Sequence, residues 1–447
     1  MTHCCGQLTF SFRQSTRVVA DFKGGLISSD AGLLPLRELD DRLGWTAAVV
    51  ACLTDSRDPG KTRHDLPTLL RQRLFALIAG YEDTNDHTRL KHDPILKTVA
   101  DRPLDDDLAS QPTLSRFENW VTAREVAAIN RLLVEQFIQR HRKRRLTRLI
   151  LDIDPTDDPC HGQQQLSLFN RFYDQRMYFP LLVFERKSGM LLGVRLRAGG
   201  VHGSHRVLQL LRPMIHRLRE AFPRTEIILR ADAGLAVPRL YEFCEREHLG
   251  YLFGIPANTI FQEQSDWALS WLSGCFGRDG QPHRWFGGFR HQAGTWDRTR
   301  HIIYKAEVNA DGTHRRFLIT NLKGHPRDLW PVYADRGTAE TFIDELKNGL
   351  KADRLSCSTF VANAFRLVLT ACAYNLLRAF RGTLAGTAFE HASIDTIRTR
   401  LIKIGARVRQ TTRRIWVHLS SAFPLRDVLA QVMAAIQAVP RASPAGR

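Results

Sequence analysis

Residues 333–350, YADRGTAETFIDELKNGL, decide how the rest of the chain is read. At 3.6 residues per turn this stretch predicts one helix with two unlike faces. Ala339, Phe342, Ile343, Leu346 and Leu350 form an apolar stripe. Tyr333, Arg336, Glu340, Asp344 and Lys347 fall opposite it, within about 40° of Glu340. One carboxylate thus stands between two cations, with a tyrosine a turn behind. Solvated faces of amphipathic helices often carry such charges, so the stripe takes its meaning from what surrounds it.

Upstream, the pattern is that of a layered sheet. Apolar or alternating runs at 146–154, 179–186, 190–197, 226–231 and 251–256 predict five strands, and 205–222 and 237–249 predict two helices. The order βββαβαβ is that of an α/β sheet rather than a barrel. Two of these strands end in acids. The first closes as Asp152-Ile153-Asp154-Pro155-Thr156-Asp157-Asp158, with Asp152 and Asp154 on one face because strand side chains alternate. The fourth runs into Asp232-Ala233-Gly234. If these strands are neighbours, Asp154 and Asp232 meet at the sheet edge, where open α/β sheets hold their ligands. A flanking helix then adds Glu340. Taken singly, each acid has the ordinary role of a cap or turn residue. Together, three hard oxygen ligands suit Mg²⁺ or Mn²⁺. Two such ions about 4 Å apart serve phosphoryl transfer by activating a nucleophile and stabilising a leaving oxygen.

The composition agrees with a nucleic-acid partner. The 447 residues carry 64 Lys and Arg against 46 acids, a formal charge of +18. That balance favours a polyanion. An acidic membrane surface would call for a basic amphipathic helix or an anchor, and neither is found. The most apolar run, 367–377, is about half the length that spans a bilayer and is closed by Arg366 and Arg378. MTHCCGQLTFSF is not a secretory signal, so a cytoplasmic, nucleoid-associated protein is expected. The eight cysteines show no CxxC pair and no zinc spacing, and read as reduced thiols.

The rest divides around this core. Residues 1–140 predict a mostly helical N-terminal, DNA-binding region. It opens with short strands in 1–26, has a helix over 30–43 capped by Ser28-Ser29-Asp30 and ended by Gly44, and another over 62–79. Its short helices suit a helix-turn-helix reader and a plain packing module equally well. The cluster His141-Arg142-Lys143-Arg144-Arg145 marks the border with the core, whose first part is 146–256. Residues 257–330, which include Trp267, Trp271, Trp285 and Trp296 and two strand patterns, predict a β-rich insertion. Residues 331–380 return to core helices with Glu340. A basic, helical C-terminal region follows at 381–447, where 397–414 holds seven Lys or Arg and no acid.

These residues carry a resemblance. The chain resembles bacterial insertion-sequence transposases with a ribonuclease H-like core (βββαβαβ and a following helix) and a triad of two aspartates and a glutamate. That group has a Tyr-x2-Arg-x3-Glu-x6-Lys signature, matched here by Tyr333, Arg336, Glu340 and Lys347. It also has D-x-T and D-x-G patterns at its two aspartates, matched by Asp154-Pro155-Thr156 and Asp232-Ala233-Gly234. GGLISSDAGLLPLRELDDRLG and SQPTLSRFEN are similar to members of one branch. The resemblance implies Asp154, Asp232 and Glu340 as catalytic metal ligands, with Asp152 the alternative first acid, and two Mg²⁺ or Mn²⁺ ions. It implies DNA contacts from Tyr333, Arg336 and Lys347. Trp296, just ahead of a basic strand, is the candidate to stack on a flipped base. It further implies double-stranded DNA partners (terminal inverted repeats and target DNA), a homodimer holding two ends together, and cleavage at element ends followed by strand transfer. A DNA-binding protein without catalysis, or a metal-dependent nuclease on the same fold, are the alternatives.

Overall fold

The computed structural model describes residues 7–13 and 15–442. Two compact units emerge: Asn119–Arg378 as one, and the chain up to Glu118 together with Ala379–Arg447 as the other. The boundaries differ from the expected N-terminal region of 1–140, because the helix Ala123–His141 belongs with the sheet and the C-terminal segment with the N-terminal helices.

The larger unit is a mixed α/β fold built on one eight-stranded sheet. Its strands are β1 (Arg148–Pro155), β2 (Leu181–Glu185), β3 (Leu191–Arg195), β4 (Glu226–Ala231), β5 (Gly250–Ile255), β6 (His283–His291), β7 (Arg300–Asn309) and β8 (Gly312–Thr320). They lie side by side as β6-β7-β8-β5-β4-β1-β2-β3. β1, β4 and β5 are parallel; every other pairing is antiparallel. The five strands expected between 146 and 256 all form, each an apolar run bounded by turns. Helices α1 (Ala123–His141), α2 (Val207–Ala221) and α3 (Pro238–Arg246) accompany this half. Thr122 and Glu125 close the start of α1 reciprocally as a capping box.

The stretch 257–330 differs from the expected β insertion. It opens with a 21-residue helix, α4 (Thr259–Asp279), capped by Asn258. Its three strands then join the main sheet through β8, which pairs with β5. Ile302, Ile303, Tyr304, Leu318 and Ile319 are buried, so this half shares a core with the sheet instead of standing apart.

The 333–350 stretch is not one straight helix. α5 (Pro326–Ala334) ends at Asp335, α6 (Gly337–Asp344) follows, and Glu345–Gly349 is a π turn. The break has a cause: Arg186 forks onto the Asp335 carboxylate, which Arg230 also reaches at 3.2 Å. Those bonds hold the residue at the corner. α7 (Phe360–Arg381) follows. By length and composition this helix is apolar enough to cross a membrane, but 83% of its most apolar window is buried within the protein, as in a core helix.

In the smaller unit the helices Leu33–Leu43 and Leu66–Ala79 form, the first ending at left-handed Gly44. Asp30 does not cap the first one. It is buried and accepts hydrogen bonds from Lys403 Nζ (2.7 Å) and Tyr81 Oη (2.9 Å). The basic C-terminal run is also not helical throughout. Ala406–Thr411 and Arg414–Leu419 form a hairpin that pairs with Leu26–Ser28. Ala406 and Val408 are buried while Arg407 and Arg409 face out, a two-residue alternation that the charge count conceals.

Candidate active site

The site begins with the register of β1 and β4. Arg230 lies beside Asp152 and Ala231 beside Ile153 in a parallel pairing. One more step brings Asp154, near the end of β1, level with Asp232, the first residue past β4. Asp232 caps the short helical turn Ala233–Leu235, its Oδ1 accepting from the Gly234 N–H at 3.1 Å. The next strand makes room for this turn with a glycine. A Cβ on Gly254 would sit 2.8 Å from Tyr333 Oη and 3.1 Å from the Ala233 nitrogen.

The two acids at the end of β1 have different environments. Asp152 is 1% exposed and takes both arms of Arg230, Nε to Oδ1 at 2.6 Å and Nη2 to Oδ2 at 2.7 Å. The same guanidinium donates to the Val332 carbonyl. Asp152 thus ties the sheet to the end of α5. Asp154 has no such fork. Its ion pair is with Arg336 Nη2, at 3.2 Å. Burial pushes its carboxyl up to about 7; Arg336 opposes the rise, while Asp232, Asp152 and Glu340 add to it.

Arg336 is the hinge of the arrangement. Its Nη1 reaches Glu340 Oε1 at 3.3 Å, while Nη2 holds Asp154. Burial pulls this guanidinium down, but Asp154, Tyr333, Asp232 and Glu340 together raise it above its ordinary value. The positive charge of an arginine therefore stands between the carboxylates. With it there, no three His, Cys, Asp or Glu side chains among the described residues are close enough to share a metal ion. The donor set itself suits a hard divalent cation: Asp232 and Glu340 act on the charge of Asp154, whose ionised form burial disfavours.

The other expected residues are placed as follows. Lys347, in the π turn, donates to Asp157 Oδ1 at 3.0 Å, to the Asp157 carbonyl at 2.9 Å and to Thr156 Oγ1 at 3.5 Å. It thus grips the loop just beyond Asp154. Tyr333 ends α5, packed against the cluster of Leu252, Ile303, Leu318, Leu329 and Trp330. Trp296 is not where a base could reach it. It is buried, edge-on to Tyr241 (5.9 Å) and His291 (5.5 Å), with the Arg300 guanidinium 5.6 Å from its ring. So enclosed, the ring is not open to stacking. The exposed indoles are Trp267, Trp271 and Trp285, which meet edge to face. Trp271 and Trp285 line a groove of about 740 Å³ that also carries Arg284, Arg327, His283 and His325. Arg230, Asp335 and Gly254 were given no role by the sequence, and Asp157 stood there only as one acid of the cluster at the end of the first strand. A lone arginine in the apolar run EIILRA was the one local sign of a buried partner.

Comparison with known proteins adds three findings. No curated protein matches the sequence. Among solved structures, a piggyBac transposase synaptic complex with hairpin DNA is similar at 11% identity and a TM-score of 0.43, over 94% of this chain and 87% of that one. The family model for transposase DDE domain group 1 matches residues 10–441. That match spans both units and nearly every element described above, so the chain belongs to the DDE-domain transposases of group 1.

Proposed function

We propose that this transposase cuts DNA at the ends of a bacterial insertion sequence and joins the freed ends to target DNA, using Asp154, Asp232 and Glu340 on a ribonuclease H-like core. The observation that carries the reading is the convergence of three carboxylates from β1, the end of β4 and α6 around one arginine. Asp154 is buried, and Asp232 and Glu340 add to the rise of its carboxyl, an environment that a cation other than a proton would relieve. Asp154 is the first acid of the set because Asp152 is already committed to Arg230.

Asp154, Asp232 and Glu340 would hold Mg²⁺ or Mn²⁺. Bound there, the ions would supply Lewis-acid stabilisation of the attacking and leaving oxygens. The chain's own residues do the rest. Arg336 must release Asp154 and Glu340, and its planar fork is then free for a phosphate. Lys347 offers a point charge beside the loop at Asp157. Tyr333, seated in an apolar cluster, holds the helix end against Gly254. In the first step water displaces the 3′ oxygen at the element boundary and leaves a 3′-hydroxyl. In the second, that hydroxyl attacks a phosphodiester of target DNA and displaces its 3′ oxygen. The net charge of +18 favours double-stranded DNA as partner. The groove at Trp271 and Trp285, not Trp296, offers rings to an unstacked base. A homodimer holding two element ends, at work on the cytoplasmic nucleoid, completes the proposal.

The test is cleavage of a labelled duplex carrying the source element's end, with Mg²⁺, by wild type and Glu340→Ala. The expected result is a nick at the boundary and joined products from wild type, with the variant binding but not cutting. Equal binding and no cleavage by either protein, with Mg²⁺ or Mn²⁺, would leave a DNA-binding protein instead. Cleavage without joining would leave a nuclease.

A further inference from the structure

A hairpin of Leu168–Asn170 and Gln175–Tyr178 stands beside the acids. Gln175 Nε2 donates to Asp157 Oδ2 at 3.1 Å, on the loop that Lys347 also holds. The turn of the hairpin carries two aromatic rings. Phe172 is 87% exposed and meets Tyr173 edge-on at 5.0 Å. Tyr173 in turn meets Phe179 edge-on at 5.7 Å. Burial, then Asp157, Asp232 and Asp154, pushes the Tyr173 phenol above its ordinary value, so the turn faces the acids. Asn170 fixes the turn, its Oδ1 accepting from the N–H groups of Phe172 (3.0 Å) and Tyr173 (3.4 Å). Leu168 and Phe169 are exposed on the same hairpin, so Phe172 belongs to an apolar patch and is not a stray surface ring.

The same asparagine ties the turn to a basic loop, its Nδ2 donating to the Gly199 carbonyl at 2.7 Å. β3 runs parallel to β1, since each is antiparallel to β2, so the loop 196–206 leaves the sheet at the end where Asp154 and Asp232 lie. There it presses on the Asp232 turn: a Cβ on Gly203 would sit 3.0 Å from the Gly234 oxygen. Between Glu185 and Glu220 the sequence has no acid. Arg197, 2% exposed, donates to the carbonyls of Phe179, Gly203 and His205, with its guanidinium 4.8 Å from the Phe179 ring. Among the described residues no carboxylate pairs with it, and its Nη2 is buried without a partner. Arg206, Arg197 and Arg195 all bear on the exposed His205. His202 Nδ1 accepts from the Ser204 N–H at 3.2 Å, which leaves Nε2 of the neutral ring as a donor.

We propose that this hairpin and loop bind a single DNA strand beside the acids: Phe172 stacks on an unpaired base, while Arg206 and His202 hold phosphates of the same strand. A base within a duplex has neighbours on both faces, whereas an unpaired one offers a free face to a ring. An apolar patch alone would suit a protein partner; the acid-free loop joined to it favours a polyanion. Phosphates supply the negative charge that Arg197 and its neighbours lack. The surface is separate from the groove at Trp271 and Trp285, which is lined by residues between 271 and 331. That the bound strand is one being cut rests on the function proposed above; the binding itself does not.

Fluorescence anisotropy of the full chain in metal-free buffer tests the surface, with a short labelled single strand and the matching duplex as probes. Phe172→Ala should weaken binding of the single strand about tenfold and leave that of the duplex within about twofold, and Phe172→Trp should restore the loss. So exposed a ring can be replaced with Tm unchanged. Arg206→Ala should lower the slope of log affinity against log salt by about 0.7 for the single strand. Single-strand affinity unchanged by Phe172→Ala, or a loss equal on strand and duplex, overturns the proposal. Unchanged strand affinity with lost self-association in sedimentation overturns it too, and gives the patch to a second copy of the chain. Glu340→Ala should bind the single strand as wild type does. If wild type cuts no DNA and Phe172→Ala still loses the single strand, the cleavage reading fails and this surface stands.

Discussion

Asn in place of Asp152 and Asn in place of Asp154 make the same chemical change two residues apart on one strand, yet the structure assigns them opposite consequences. Arg230 is 0% exposed at its side chain and Asp152 1%, with bonds of 2.6 and 2.7 Å. Asp152→Asn leaves a buried guanidinium without its main counter-charge. Breaking a buried pair from one side costs about 3–5 kcal/mol. Asp335, 3.2 Å from Arg230, remains as a second acid, which favours the lower end of that range. At about 2–4 °C per kcal/mol for a unit of this size, Tm should fall by about 6–12 °C. Asp154→Asn removes a charge that three neighbouring acids already oppose. Its Tm should hold or rise, while cleavage is lost. Scanning calorimetry of the full chain in metal-free buffer reads both. A double variant, Asp152→Leu with Arg230→Met, should recover part of the loss, because no charge is then buried unpaired. If Asp154→Asn is the variant that drops by about 10 °C and Asp152→Asn unfolds like wild type, the division of roles on β1 is wrong.

Two further perturbations probe other parts of the chain. Gly254→Val puts carbon where 2.8 Å separates a Cβ from Tyr333 Oη and 3.1 Å from the Ala233 nitrogen. Overpacking of this kind costs about 1–3 kcal/mol, and a shift of the Asp232 turn should lower the cleavage rate by about 100-fold with DNA affinity kept; a variant that cuts at the wild-type rate would show that the turn need not be held. In the smaller unit, buried His87 accepts at Nδ1 from Gln72 Nε2 at 2.9 Å, and burial, with Arg73 adding, lowers its pKa from 6.5 to about 3. A base kept neutral in the fold and protonated in the unfolded chain supports stability above pH 6.5 and loses it as pH falls, by about 2 kcal/mol at pH 5. Urea unfolding at pH 7 and pH 5 should show that slope in wild type and a flatter one in His87→Asn; equal slopes would place the acid sensitivity elsewhere.

Much of the larger unit was legible because its signals are local. β1 to β5 are apolar runs closed by turn residues, and such runs are recognised without knowing their neighbours. The same reasoning failed where the deciding contact was distant. The corner at Asp335 depends on Arg186 and Arg230, so a stripe drawn on an unbroken helix could not show it. The strands after α4 looked like a separate insertion because their pairing with β5 is set by register, not by composition. Trp296 sits in a stretch rich in arginine, which suggested DNA; one of those arginines, Arg300, lies over its ring and pairs with Glu245 in the interior. The hairpin at Ala406–Leu419 was masked by counting its charges rather than their alternation.

By itself the sequence determined that Asp154 and Asp232 close apolar strands, since an alternating or apolar run stops where the chain leaves the sheet. It also determined that Glu340 lies on the polar side of a helix, between Arg336 and Lys347. Only the tertiary structure decided that β1 and β4 are neighbours, that Arg230 claims Asp152 and leaves Asp154 to the cleft, and that Arg336 spans Asp154 and Glu340. The reason is physical. Periodicity and turn chemistry act over a few residues, whereas strand order, burial and the desolvation that shifts a carboxyl depend on groups dozens to hundreds of residues away, brought together only when the core packs.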